Sequence, residues 1–379
     1  MPCPRCFGLQ NLTLAFFGAL PSWIQSHFLN TRWTDGEFDR RLDALSIPHS
    51  STWLGMISRK LDRVNLRMTI ECLLKLPVAW WDFVRIYRSF QPDIIYFASH
   101  HEVILLWPLL VWIRHKVICH VHDPPPGIVF QKVSFFIWRR AISRFFFVSE
   151  NVRVRMARLG PLHATDVVVY NGVEVAPLNM PRRRSNRFCT TFDWSEDSVI
   201  LGMTGQLIPS KGQEEFIKAA YLAYESNKKV RFVIGGSGSE QFILELKHLI
   251  SEQGMNDIMK FSGWLPHAID FYEGLDVIVL ASRHEEGFGL VLAEAAERGL
   301  PAIATLSGGA VEVIVDGKTG ILVSKQDSQS LGHAMMVLAA DEALRNRMGE
   351  RARDRVTKEF NLIVQSNRFA NLLKQSVSS

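Results

Sequence analysis

The stretch "HEEGFGLVLAEAAERGLPAIAT", His284 to Thr305, sets two carboxylates, Glu286 and Glu294, on either side of a glycine-spaced turn and the start of an Ala/Leu-rich run. Gly287 and Gly289 let the backbone approach a ligand with no Cβ in the way. If a helix opens here, the amides of Phe288, Gly289 and Leu290 lie at its start and can meet ligand oxygens. A carboxylate accepts paired hydrogen bonds from vicinal hydroxyls, so Glu286 and Glu294 suit the diols of a sugar or a ribose. The structural alternative makes Glu286 a first-turn acid that complements the helix dipole and Glu294 a solvated helix residue. Upstream, "GQLIPSKGQEEFIKAA" (Gly205–Ala220) leaves a strand, turns at Pro209 and places Lys211-Gly212 at the opening of a helix. A lysine beside helix N-terminal amides is a competent phosphate site. "GGSGSE" (Gly235–Glu240) is another strand-to-helix turn, but it lacks the full spacing of a dinucleotide fingerprint. Phosphates and diols together describe a nucleotide sugar.

The elements that would position these groups alternate along the chain. Strand candidates in the first half are "LTLAFF", "DIIYFAS", "KVICHVHD", "RFFFVS" and "DVVVYNG", with helix-like segments such as Leu61–Phe90 and Val133–Ser143 among them. The second half gives "SVILGMTG", "VRFVIGGSG", "MKFSGWL", "DVIVLAS", "PAIAT" and "GILV", separated by helical patterns at Glu214–Glu225 and Gln241–Glu252. This alternation predicts an α/β protein with parallel sheets. Two doubly wound, Rossmann-like domains facing across a cleft are expected, with ligands at the C-terminal ends of the strands. The expected boundaries are an N-terminal domain over 1–176, a polar, basic linker over 177–197 and a C-terminal donor-binding domain over 198–360. A C-terminal helix over 361–379 is expected to return to the N-terminal domain.

Composition narrows the function classes. The chain has 379 residues and is 47% hydrophobic, ample for two cores. Residues 1–190 hold 24 Lys/Arg against 13 Asp/Glu, whereas the remainder holds 19 against 25. A basic half suits an anionic partner, such as a membrane surface, a lipid phosphate or nucleic acid, the alternative being a merely solvated basic surface. A membrane surface, and no nucleic acid, is the partner expected here. The aromatic runs "WPLLVW" and "FFIWRR" are the expected contacts, the alternative being that those aromatics are core. Five scattered cysteines make no disulfide framework and fit a reducing, cytoplasmic compartment. Cys3 and Cys6 have metal-ligand spacing with nothing to complete a zinc site, so no metal is expected there. The longest uncharged apolar run, Val103–Ile113, has eleven residues, against the roughly twenty of a membrane span. "LTLAFFGAL" is read as a buried strand rather than a signal peptide.

With these pieces in view, "EGFGLVLAE" resembles the Glu-x7-Glu motif of the retaining glycosyltransferases of family four, which have the two-Rossmann GT-B fold. The similarity runs from Gln91 to about Phe360, through "QPDIIYFAS", "HVHD", "FFFVSE", "VYNGVE", "GQLIPSKGQEEFIKAA", "VIGGSGSE", "FSGWL" and "GGAVEVIVDGKTGILV" in the family's order. The resemblance implies that Glu286, with the backbone of Gly287, Phe288, Gly289 and Leu290, holds the donor sugar. It implies that Glu294 binds the nucleotide ribose and that Lys211 neutralises the donor diphosphate. It further implies that His122, rather than His120, faces the donor sugar, and that the chemistry needs no metal or other cofactor. The expected substrates are a UDP- or GDP-sugar and a glycan or lipid-linked acceptor.

Two departures stand out. Gln206 occupies the place where the family carries an arginine a few residues before the lysine, so the diphosphate meets one fixed cation instead of two. The family's opening strand and glycine-rich loop have no counterpart in "MPCPRCFGLQNLTLAFFGAL", so the first strand is read as missing or altered, with "LTLAFF" as the second. Two other functions fit the same residues: a non-catalytic nucleotide-sugar-binding protein, and a nucleotide-sugar epimerase or phosphorylase on this fold.

Overall fold

A computed structural model describes residues 8–32, 36–54, 63–98, 100–124, 128–176, 185–265 and 267–377. Cys3 and Cys6 lie outside them, as do residues 177–184 of the expected linker. The chain divides into two compact units, Met1–Gly172 with Leu362–Ser379, and Val173–Asn361.

The first unit contains a parallel pair, β1 (Phe28–Thr31) and β2 (His49–Thr52). Its main sheet has four parallel strands, β3 (Ile95–Phe97), β4 (Val117–Val121), β5 (Arg144–Phe147) and β6 (Val167–Val168), lying side by side in chain order. Every residue of β4 is buried, which is why that strand reads as a continuous apolar run broken only by His120. The C-terminal helix Leu362–Val377 brings Phe369 against Phe16, Phe17, Tyr96 and Phe146, with ring centroids 5.3–6.1 Å apart.

One expected strand is a helix. "LTLAFF" lies within the helix Gly8–Gly18, in which Leu12, Leu14 and Phe16 are buried. A short apolar run has no period that separates a strand from a buried helix. Here Phe369 packs edge-on against Phe16 and Phe17, so the aromatic side chains are met from the C-terminal helix rather than from a sheet neighbour.

The second unit is built on six parallel strands: β7 (Val199–Leu207), β8 (Val230–Gly238), β9 (Met259–Gly263), β10 (Val277–Leu280), β11 (Ala302–Thr305) and β12 (Gly320–Val323). Their order is β12-β11-β10-β7-β8-β9. The chain therefore winds outward one way from β7 and the other way from β10, which makes the β7/β10 boundary a topological switch point. β10 and β11 are buried throughout, and helix Gln213–Ser226 adds Phe216, Ile217, Ala219, Ala220 and Ala223 to the same core at helical spacing.

The stretch expected as a linker is partly core. Residues 187–192 form a helix with Phe188 and Cys189 buried. Phe188 stacks on Phe192 at 5.9 Å and meets Phe271 edge-on at 5.6 Å, while the Trp194 indole donates to the Asp257 carbonyl at 2.7 Å. The charge of "PRRRSNR" conceals this short apolar cluster from a reading by composition.

Candidate functional site: the switch point of the second unit

Two loops leave the C-terminal ends of β7 and β10 at the switch point, and each brings one of the charged residues singled out in the sequence. After β7 the chain makes the single turn Pro209–Lys211, and Gly212 starts the helix Gln213–Ser226 from a left-handed conformation, φ 77°. After β10 it runs to Gly289, where the helix Leu290–Glu297 begins without a side-chain cap. The Arg283 amide donates to the Ser210 carbonyl at 2.9 Å and ties the two loops together. The Arg283 guanidinium reinforces the tie, donating to both Glu215 oxygens at 2.8 and 2.9 Å and to Glu214 at 2.5 Å.

Lys211 and Glu286 meet across this junction. The ammonium donates to both carboxylate oxygens, at 2.7 and 3.0 Å, and both side chains are largely covered. The Ser282 hydroxyl also donates to Glu286, and the Ser282 carbonyl accepts from the buried Thr305 hydroxyl at 2.8 Å. The backbone of Glu286 is fixed from the other side, where its carbonyl accepts from the Gly309 amide at 2.7 Å. Gly308, at φ 53°, lies so close that a Cβ there would stand 2.1 Å from the Glu286 carbonyl oxygen. A side chain at Gly308 would push the acid-bearing loop out of place.

Glu294 sits one turn into the helix and accepts from the Tyr272 hydroxyl at 2.5 Å. Burial raises its pKa, and the hydrogen bond from Tyr272 opposes that shift. It is therefore a covered carboxyl with a fixed neighbour, not the solvated helix residue of the structural alternative. Gln206 is exposed at the end of β7, and its carbonyl accepts from the Gln213 side chain at 3.1 Å. Phe288 is buried against Phe360, with ring centroids 5.2 Å apart. Nothing in their residue type or spacing marks Ser282, Tyr272, Gly308 or Gly309 as a site residue. The two glycines open the signature "GGAVEVIVDGKTGILV", which is the one sequence signal for them.

His122 belongs to the first unit, where it follows β4 directly and is half-buried. With Tyr96, His120 and Asn171 it lines a small cavity with room for about one water molecule. His120 is buried with both ring nitrogens engaged, one with the Tyr96 hydroxyl at 2.9 Å and one with the Val169 carbonyl at 3.1 Å. Burial lowers the pKa of His120 from 6.5 to about 4, and burial together with His120 lowers that of His122. A folded-state pKa below the unfolded one means that the unfolded chain binds more protons. Stability is then complete above pH 6.5 and falls as pH drops toward 4. The expected loss from His120 is about 3 kcal/mol over that window. Urea midpoints measured across it should fall more steeply for the wild type than for His120→Gln; equal slopes would show that the ring titrates normally.

Comparison with known proteins places these features. Residues 190–355 match the family model for glycosyl transferases group 1. Among curated relatives, the chain is 32% identical over 168 residues to the capsular polysaccharide biosynthesis glycosyltransferase CapM of Staphylococcus aureus, a match covering 43% of each chain. It is 30% identical over 166 residues to a D-inositol 3-phosphate glycosyltransferase of Kribbella flavida, covering 41% of this chain and 39% of the relative. The match thus spans less than half the length of these relatives. The likeness in three dimensions is wider: Anabaena HepE, solved in complex with UDP and glucose, superposes with a TM-score of 0.80 at 18% identity, over 99% of this chain and 98% of that one. The fold is that of the GT-B glycosyltransferases, two Rossmann-like domains, and within it residues 190–355 match the glycosyl transferases group 1 model.

Proposed function

We propose that the protein is a retaining glycosyltransferase that moves a sugar from a nucleotide diphosphate sugar, UDP- or GDP-linked, to a glycan or lipid-linked acceptor. The observation that carries this reading is the Lys211–Glu286 pair at the switch point of the second sheet, a phosphate-seeking cation and a diol-seeking anion side by side. When donor enters, the diphosphate takes the ammonium and the sugar hydroxyls take the carboxylate, so each partner exchanges one ligand for another without being left bare. Glu294, steadied by Tyr272, receives the ribose diol. The bond from the anomeric carbon to the diphosphate breaks with its electron pair going to the phosphate oxygen. The acceptor hydroxyl bonds to that carbon on the same face, and its proton leaves with the diphosphate. Lys211 stabilises the departing charge, and no divalent metal is used in this scheme. The role of His122 at the donor sugar rests on the resemblance of "HVHD" alone. The basic surplus of residues 1–190 sets the reaction at an anionic membrane face, where a lipid-linked acceptor would be met. No described helix is long and apolar enough to cross a membrane.

A thermal-shift screen of nucleotide sugars names the donor, because a ligand bound only to the native state raises its apparent stability. The hit should then be consumed with an acceptor to give a product of unchanged anomeric configuration by NMR. Donor binding with no turnover against any acceptor favours the non-catalytic reading, and isomerisation of the donor without acceptor favours the epimerase.

Glu294→Gln is expected to lower kcat/KM about tenfold, or about 1.4 kcal/mol of lost transition-state binding. Tyr272→Phe should act through Glu294: without the hydroxyl the carboxyl pKa rises further, and the acid limb of the pH profile moves up. An unchanged profile in Tyr272→Phe would reduce the tyrosine to packing.

A further inference from the structure

The helix Arg63–Phe90 in the first unit is apolar on both sides. Its inward face carries the buried Cys72, Ala79 and Phe83. On the opposite face Ile70, Leu73, Leu74, Val78 and Trp81 are exposed, Leu74 by 74% and Trp81 by 69%. At about 100° per residue these five fall within one sector of roughly 140°, the sector where a surface helix ordinarily presents charge. An apolar stripe of that kind in solvent marks a contact surface. The adjacent tryptophans divide cleanly between the two faces, for Trp80 donates inward to the Leu105 carbonyl at 2.9 Å while Trp81 points out.

Charge frames the stripe. Arg67 precedes it by a turn, and Arg85 and Arg88 follow it, all three exposed. Arg67 pairs with Glu71 at 3.0 Å and Arg85 lies 3.5 Å from Asp82, and the helix still holds five basic residues against two acidic ones. The aromatic runs expected to touch a membrane are partly interior: Leu110, Phe135 and Trp138 are buried, and the Trp107 indole donates to the Ile137 carbonyl. Of those runs, Trp112 and Phe136 are the large hydrophobic side chains left exposed, by 87% and 59%, two isolated rings rather than a stripe along one helix, with the Arg140 guanidinium 3.5 Å over the Phe136 ring.

We propose that the outward face of helix Arg63–Phe90 is the surface that docks the protein on an anionic lipid bilayer. The helix lies in the plane of the headgroups, Leu74 and Trp81 reach the acyl boundary, and Arg67, Arg85 and Arg88 meet lipid phosphates. A second copy of the chain fits the charge less well. Pairing two such helices in antiparallel fashion sets the Arg67 end of one against the Arg85–Arg88 end of the other, and parallel pairing sets like ends together. A bilayer supplies the counter-charge that a copy of this helix lacks. The inference rests on the membrane reading above and adds which face makes the contact.

The test is vesicle co-sedimentation of the full chain, using phosphatidylcholine vesicles with and without phosphatidylglycerol. The wild type should bind the anionic vesicles, release with added salt and leave neutral vesicles unbound. The double variant Leu74→Ser/Trp81→Ser should partition at least tenfold more weakly while keeping its far-UV circular dichroism and its affinity for nucleoside diphosphate. Trp112→Ser/Phe136→Ser should bind like the wild type. If the Leu74→Ser/Trp81→Ser protein still binds, or binding is lost only in Trp112→Ser/Phe136→Ser, the membrane reading stands and this helix is not the docking face. A wild type that ignores anionic vesicles overturns both. Self-association abolished by Leu74→Ser/Trp81→Ser, with no vesicle binding, assigns the stripe to a second copy and overturns the proposal.

Discussion

Lys211→Ala is expected to remove nearly all affinity for nucleoside diphosphate and to lower kcat/KM by about 10²- to 10³-fold, or about 3–4 kcal/mol. In the proposed scheme this lysine is the fixed cation on the donor diphosphate, because the neutral Gln206 supplies no charge. The alanine variant also leaves Glu286 without the ammonium that holds both of its oxygens, so the carboxylate that should receive the sugar is no longer aimed. The loss should therefore appear in the binding of whole donor as well as in that of the free nucleotide. The converse change, Gln206→Arg, adds a second cation at the exposed end of β7 and should tighten nucleoside diphosphate binding several-fold, an effect that weakens with salt. Isothermal titration with UDP and GDP reads both. Affinities unmoved by either substitution would place the diphosphate elsewhere on the second unit.

The second unit was the more legible half of the sequence, for a physical reason. Its six strands lie in a parallel sheet, and such strands appear as short runs of Val, Ile, Leu and Ala bounded by glycine or a polar turn. "DVIVLAS" and "PAIAT" are β10 and β11, buried from end to end. Because the strand ends are readable, so are the loops leaving them, and Lys211 and Glu286 stand out on different loops although nothing in the sequence shows that they touch. What could not be read were their partners. Ser282 and Gly309 lie on either side of Glu286, but nothing in residue type or spacing says that a serine hydroxyl and a distant amide will converge on one acid. Tyr272 is 22 positions from Glu294 and comes to it only through the fold.

The first unit resisted for different reasons. β1 and β2, "FLNT" and "HSST", are four residues each and mostly polar, too short and too mixed to show alternation. "LTLAFF" has the opposite difficulty, being apolar without a period. The helix Arg63–Phe90 reads as a helix over Leu61–Phe90, yet its periodicity does not show which apolar face is covered. Both faces carry large hydrophobic residues, and only the packing of Cys72, Ala79 and Phe83 assigns one to the interior. A surface that behaves like a core in sequence is where a reading of pattern alone has least to work with.

Gly212→Ala is expected to destabilise the second unit by about 3 kcal/mol or more, whereas Gly254→Ala should cost about 1 kcal/mol. Both glycines hold left-handed backbone, φ 77° and 65°, so an added Cβ pays the same conformational penalty at each. Their surroundings differ. A Cβ at Gly254 meets nothing within 4 Å, but one at Gly212 would stand 1.9 Å from the Ala281 carbonyl oxygen. That oxygen belongs to the residue just after β10, so relief requires the two loops at the switch point to separate. Separation would strain the Arg283–Ser210 hydrogen bond and draw Lys211 away from Glu286. For a unit of this size each kcal/mol lowers Tm by about 2–4 °C, which predicts a drop of about 6–12 °C for Gly212→Ala and about 2–4 °C for Gly254→Ala. The first variant should also lose nucleoside diphosphate affinity at temperatures where it is still folded, and the second should not. Equal Tm losses with equal affinities would mean that the β7 and β10 loops part freely, and that their close approach does not hold the lysine and the glutamate in place.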